Sequence, residues 1–195
     1  VKKNFHINSH GWLDIAPGIR ILESPNFDLR PKKTDLSLIV IHSISLPEGQ
    51  FGLGNVEKLF LNQLDINDRD FEFLVDVTVS SHFFIDRIGE TVQFVSVYKR
   101  AWHAGISNFL GDSDCNNFSV GIELEGSDKE NFTKDQYESL FNLVHCLQHK
   151  VPTIGSVASH SFIAPDRKTD PGPHFNWDYF KSLLQKKNVC LKFFP

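Results

Sequence analysis

Residues 36–42 read LSLIVIH, a largely apolar, β-branched run that stops on a histidine. A strand covered on one face alternates polar and apolar residues, so a run like this one suits a strand buried on both faces. The segment that follows, SISLPEGQFGLG (43–54), is a Gly/Pro loop. After it, NVEKLFLNQL (55–64) places Val56, Leu59, Phe60 and Leu64 at helical spacing. HFFIDRIGETVQFVS (82–96) reads as a hairpin that turns around Arg87 and Gly89, with Val92, Phe94 and Ser96 on one face of its second strand. SVGIELEG (119–126) predicts a further strand. Its Val120, Ile122 and Leu124 share one face, and Gly121, Glu123 and Glu125 share the other.

Two helices are written more plainly. In FTKDQYESLFNLVHCLQHKV (132–151), Thr133 is placed to cap the N-terminus with Gln136 completing a capping box, and Tyr137, Leu140, Phe141, Val144 and Leu147 form an apolar stripe. NWDYFKSLLQKK (176–187) is a last helix opened by Asn176. Residues 1–35 mix Pro, Gly and charge and read as an extended arm with little regular structure of its own. Strands interleaved with helices make the chain an α/β or α+β layer protein. At 195 residues it is expected to be a single domain, 1–195, with its own core.

Composition removes several function classes. The net charge of -4 and the absence of Lys/Arg runs beyond pairs such as Lys2-Lys3 and Lys186-Lys187 argue against a nucleic-acid partner. No stretch approaches the ~18 apolar residues of a membrane span, and the opening VKKNFHINSHGWLDI lacks the apolar core of an export signal. Cys115, Cys146 and Cys190 are widely spaced and odd in number, which supports neither a disulfide framework nor a thiolate metal site. A reducing, cytoplasmic setting is expected, and no protein partner is evident.

Residues 159–173, SHSFIAPDRKTDPGP, gather a histidine, acids and bases among Pro165, Pro171 and Pro173. The prolines fix φ and remove donors, so a stiff loop is predicted in place of a helix or central strand. Loops on a rigid scaffold commonly carry binding and catalytic groups. A strand-end His42 with loop residues His160 and Asp170 would supply two imidazoles and a carboxylate, the three protein ligands of a catalytic zinc site with one position open. The alternative is a set of unrelated polar residues. Glu123 could serve such a site as general base, and Lys168 could stabilise an oxygen on which charge develops. Solvated surface charges are the plainer reading of both, and of Glu125. Among the nine histidines, His145 and His149 share a helix face without the Glu-x-x of a zinc protease, and His82 reads as structural. His6, His10 and His174 have no arguable partner.

Taken in order, IHSISLPEGQFG, VSSHFFI, KRAWHAGIS, CNNFSVGIELEG and IAPDRKTDPGP resemble the cytoplasmic anhydro-N-acetylmuramoyl-L-alanine amidases of the AmpD type, within the zinc amidase and peptidoglycan-recognition superfamily. The resemblance extends from about residue 36 to about residue 180. It implies a mixed central sheet flanked by helices and zinc held by His42, His160 and Asp170. It further implies Glu123 as general base, Lys168 as oxyanion stabiliser, and Trp102 and His103 in the substrate groove. The implied reaction frees the stem peptide of an anhydromuropeptide during cell-wall recycling. Ser43 and Phe162 depart from the family pattern, as do Thr78 and Asp114, where relatives often carry arginine. Lys99, Arg100 or Arg167 could compensate at the peptide. The rival readings are a periplasmic amidase acting on intact peptidoglycan, a recognition protein without catalysis, and a structural zinc site.

Overall fold

Most of the apolar run at 36–42 forms an interior strand of a seven-stranded sheet. The computed structural model describes residues 5–195, so the Lys2-Lys3 pair and the first residues of the expected arm lie outside the described residues. The strands are β1 (Ile19–Ile21), β2 (Phe27–Leu29), β3 (Leu38–Ile44), β4 (Phe83–Ile85), β5 (Thr91–Gln93), β6 (Lys99–Ala101), β7 (Asn108–Phe109), β8 (Asp112–Ser113), β9 (Ser119–Glu125), β10 (Ser156–Ser159) and β11 (Lys192–Phe194). The α-helices are α1 (Asn55–Phe60), α2 (Lys134–Lys150), α3 (His160–Ile163) and α4 (Trp177–Gln185). The main sheet has the order β1-β5-β4-β9-β3-β10-β11, parallel throughout except at the β4–β5 hairpin. It is therefore mixed, as the resemblance implied.

Period-two alternation along β3 sorts its side chains. Ile39 and Ile41 join Val120, Ile122 and Leu124 of β9 in a core covered by α2 and α4, through Leu140, Val144, Leu147, Phe180 and Leu184. Leu38 and Val40 point the other way, into a second cluster with Ala104, Phe109, Cys115, Ala158 and Ile163. His42 shares that second face. The register pairs His42 with Glu123 across β3 and β9, and Ile41 with Ser159 across β3 and β10, so His160 follows at the same level of the sheet.

The capping box forms as expected: Gln136 N–H donates to Thr133 Oγ1 at 3.1 Å, and Thr133 N–H donates to Gln136 Oε1 at 3.0 Å. Asn176 caps α4 by accepting from Tyr179 N–H at 2.9 Å.

Several expectations change. β3 runs two residues past His42, to Ile44. The helix expected over 55–64 ends at Phe60, and the second hairpin strand ends at Gln93. The proline-rich stretch opens with a single helical turn, α3, capped by Ser159 Oγ on Phe162 N–H at 2.9 Å and finished before Pro165. The arm is integrated into the fold. β1 is an edge strand of the main sheet, β2 pairs with β6, and Ile7, Leu13 and Ile19 are in the core. From the same segment Arg30 donates to the carbonyls of Asn116, Asn117, Val97 and Ser119 at 2.8–3.2 Å. Burial lowers its pKa to about 9. At the other end β11 pairs in parallel with β10, and Phe194 packs against Phe109 and Phe162 with ring centroids 5.0 and 5.1 Å away.

Candidate metal centre and active site

Three elements bring the ligand candidates together. β3 supplies His42, α3 supplies His160, and the segment after it supplies Asp170, whose carbonyl accepts Ser161 N–H at 3.0 Å. His42 Nδ1 and His160 Nδ1 are 2.9 Å apart, and Asp170 Oδ2 lies 3.3 Å from the first and 3.0 Å from the second. Four ligands placed tetrahedrally at zinc distances are separated by roughly 3.3 Å. The observed triangle is slightly contracted from one face of such a tetrahedron.

The donor chemistry fits a cation as well. His160 Nε2 lies 3.2 Å from the Ala104 carbonyl oxygen, which only accepts, so the ring proton is on Nε2 and Nδ1 presents a lone pair. That lone pair faces a carboxylate oxygen, an arrangement a shared cation resolves. Burial, reinforced by the neighbouring His160, pushes His42 down to about 4, so its imidazole is neutral and able to ligate near pH 7. Among the described residues this is the group of His, Cys, Asp and Glu side chains that converges closely enough to hold a metal ion.

Glu123 stands beside the triangle, Oε1 3.9 Å from His42 Nδ1. Its Oε2 is buried without a hydrogen-bond partner, a costly state for a carboxylate unless the site supplies one. Burial raises its pKa well above the ordinary value, with the charge of Asp170 adding and that of Lys168 opposing. The exposed acidic face that the sequence left open for Glu123 and Glu125 is absent, because both are buried. Glu125 is a staple: its oxygens accept Gly52 N–H at 2.6 Å and Arg87 N–H at 3.2 Å.

A cleft of about 410 Å³ opens over Asp170, with Ser43, Ser45, Glu48, Asp128, Arg167 and Lys168 in its wall. Trp102 and His103 are not in that wall. Trp102 is half-buried, its backbone paired with Ser80, and His103 is buried behind His42. Arg167 commits donors to the carbonyls of Ala104 and Ile106, at 2.6 and 3.0 Å. Arg100 pairs with Asp28 at 2.7 Å, and Lys99 lends its carbonyl to His82 at 3.0 Å. Thr78 and Asp114 are exposed. His145 and His149 line a separate cavity, His6 pairs with Asp14 at 2.7 Å, and His174 meets Asn131 at 3.1 Å. What the sequence reading missed is the set behind the ligands, with His103 and Ser119 at its centre. The WHAG segment, which carries His103, is its one sign in the sequence.

The chain is similar to known proteins over most of its length. The profile of the family described as N-acetylmuramoyl-L-alanine amidase matches residues 32–173. The 1,6-anhydro-N-acetylmuramyl-L-alanine amidase AmpD of Citrobacter freundii is 44% identical over 176 residues, covering 89% of this chain and 92% of the relative. AmpD of Escherichia coli strain K12 is 44% identical over 181 residues, covering 92% and 97%. The crystal structure of a selenomethionine AmpD derivative superposes with a TM-score of 0.85 at 43% identity, covering 90% of this chain and 98% of that one. At the level of fold alone, Escherichia coli AmiD in complex with its substrate anhydro-N-acetylmuramic acid-L-Ala-D-gamma-Glu-L-Lys gives a TM-score of 0.57 at 24% identity, covering 92% and 65%. With the matched profile spanning every residue of the metal triangle, the chain belongs to the N-acetylmuramoyl-L-alanine amidase family, as an amidase of the AmpD type.

Proposed function

We infer that this amidase hydrolyses the amide between the lactyl group of 1,6-anhydro-N-acetylmuramic acid and L-Ala, freeing the stem peptide in cell-wall recycling, with zinc as its metal and the cytoplasm as its setting. One observation carries the reading: the triangle of His42, His160 and Asp170 has a buried carboxylate with an unpartnered oxygen at its side.

A zinc ion in this triangle would supply Lewis-acid polarisation of the scissile carbonyl and a lowered pKa for an attacking water. Glu123 accepts the proton of that water as its oxygen bonds to the carbonyl carbon. The raised pKa of Glu123 then favours keeping the proton until the carbon–nitrogen bond breaks and the leaving amine takes it. Lys168, in the cleft wall above Asp170, offsets negative charge on the carbonyl oxygen. The products are a muramic carboxylate and a peptide with a free amino terminus. Arg167 shares the wall with Lys168, so the substrate's carboxylates meet a basic side of the cleft, while Glu48 and Asp128 give it an acidic side.

The substrate assignment is tested by comparing kcat/KM on an anhydromuropeptide with that on the same peptide carried by a reduced, ring-opened muramic acid and on intact peptidoglycan. Preference for the anhydro form supports recycling. Equal or better turnover of intact peptidoglycan moves the enzyme to a wall-degrading role.

A further inference from the structure

The two imidazoles of the metal triangle are held from behind by consecutive residues. His160 Nε2 donates to the carbonyl of Ala104, and His42 Nε2 lies 2.9 Å from Nδ1 of His103. Which of the last two nitrogens carries the proton is decided one layer further back. Ser119 Oγ donates to the Cys115 carbonyl at 2.6 Å and stands 3.2 Å from His103 Nε2. With its single proton directed at Cys115, the hydroxyl accepts from His103 Nε2. His103 therefore carries its proton on Nε2 and a lone pair on Nδ1. It follows that His42 donates from Nε2 and turns a bare Nδ1 toward His160 and Asp170, as ligation requires.

The bracket itself is firmly seated. Asn116 Oδ1 accepts the backbone N–H groups of His103 and Ala104 at 3.1 and 2.8 Å, and Arg167 Nη2 donates to the Ala104 carbonyl at 2.6 Å. Gly121 on β9 makes room for the ring. A Cβ at that position would come 2.5 Å from His103 Cγ. The imidazole of His103 thus occupies the space where any other residue on β9 would place its side chain.

We propose that His103, with Ser119 behind it and Asn116 beneath it, is a positioning residue of the metal centre: it selects the His42 tautomer whose Nδ1 is free to ligate. Both of its ring nitrogens are used inside the protein, which assigns His103 to the metal centre and not to substrate contact. The inference rests on the metal reading above, so its test measures metal binding apart from turnover.

Hydrogen-bonded outer partners of ligating histidines are typically worth 10–100-fold in metal affinity. Zinc affinity of the purified full chain, measured by competition with a chromophoric chelator, should fall by about that factor in His103→Phe, which keeps a ring and loses the acceptor. His103→Asn offers an amide oxygen close to the place of Nδ1 and should restore most of the loss. Ser119→Ala frees His103 to adopt the opposite tautomer. In that variant the ¹⁵N shifts of the His42 ring in the metal-free protein should show Nδ1 gaining proton occupancy, and zinc affinity should fall by less than in His103→Phe. Parent-like affinity in a folded His103→Phe would overturn the proposal while leaving the amidase reading intact. So would an Asn variant as weak as Phe, or an unchanged His42 tautomer in Ser119→Ala. Failure of the parent itself to bind zinc at this site would overturn both.

Discussion

Glu123 occupies a position in which neither protonation state is fully satisfied by the protein, since burial disfavours its charge and Oε2 finds no donor. A carboxylate so placed is suited to passing a proton between a water and a leaving group. Glu123→Gln, which keeps the shape and removes the base, should lower kcat by about 10²–10⁴-fold at unchanged bound metal. Metal content by elemental analysis alongside kinetics checks it, and parallel loss of both would make Glu123 a ligand instead. Lys168→Ala should lower kcat by roughly 10²–10³-fold. A rise confined to KM would reduce that lysine to substrate binding. His82 makes a prediction about stability. Its Nδ1 accepts Gly121 N–H at 3.0 Å and its Nε2 donates to the Lys99 carbonyl at 3.0 Å, so the neutral ring is the one the fold holds. Burial lowers its pKa from 6.5 to about 3, the charge of Arg30 adding to the effect. Below 6.5 the unfolded chain binds a proton that the folded chain refuses, so this contribution is complete above 6.5 and is lost as the pH falls toward 3. By pH 5.5 the loss amounts to about 1.4 kcal/mol. Urea unfolding at pH 7 and 5.5 should show a shallower pH dependence in His82→Asn than in the parent, and equal slopes would contradict the assignment.

At the scale of elements, α2 shows which parts of a fold a sequence states openly. Its cap, capping-box partner and apolar stripe are local features, and all three hold in the structure. Thr133→Ala should cost about 1 kcal/mol, a fall in Tm of roughly 2–4 °C for a domain of this size. An unchanged Tm would mean the cap is replaced by solvent at no loss. The N-terminal arm was not legible in the same way. β1 and β2 have three residues each, too few for periodicity to register, and their partners β5 and β6 lie some seventy residues on, at pairs such as Ile19 with Thr91 and Phe27 with Ala101. The end of β3 lies beyond the expected His42 for a related reason: Ser43 and Ile44 are kept in the strand by pairing with Leu124 and Glu125, a register no local pattern encodes. The site divides along the same line. His42, His160, Asp170, Glu123 and Lys168 could be named from residue type, order and the stated resemblance. The place of His103 behind His42 depends on Gly121 lying next to it across the fold, which only the assembled sheet shows.

In the whole molecule the site is a product of sheet order. β10, β3 and β9 lie side by side, and their register brings His160, His42 and Glu123 to one level before the segment carrying Asp170 closes over them. A metal held by residues from three separate elements binds the folded chain and not the unfolded one, so it stabilises by mass action. Treatment with a chelator should lower Tm, with zinc restoring it, and Asp170→Ala should show a much reduced response. An identical Tm with and without chelator would separate the triangle from any metal. Metal-dependent cleavage at this site is tested by incubating the zinc-loaded protein with anhydro-N-acetylmuramoyl tripeptide and following the products by mass spectrometry, with Asp170→Ala as control. Free tripeptide and anhydro-N-acetylmuramic acid should form with the parent alone. An uncleaved substrate in the presence of parent protein that has bound its zinc would contradict it.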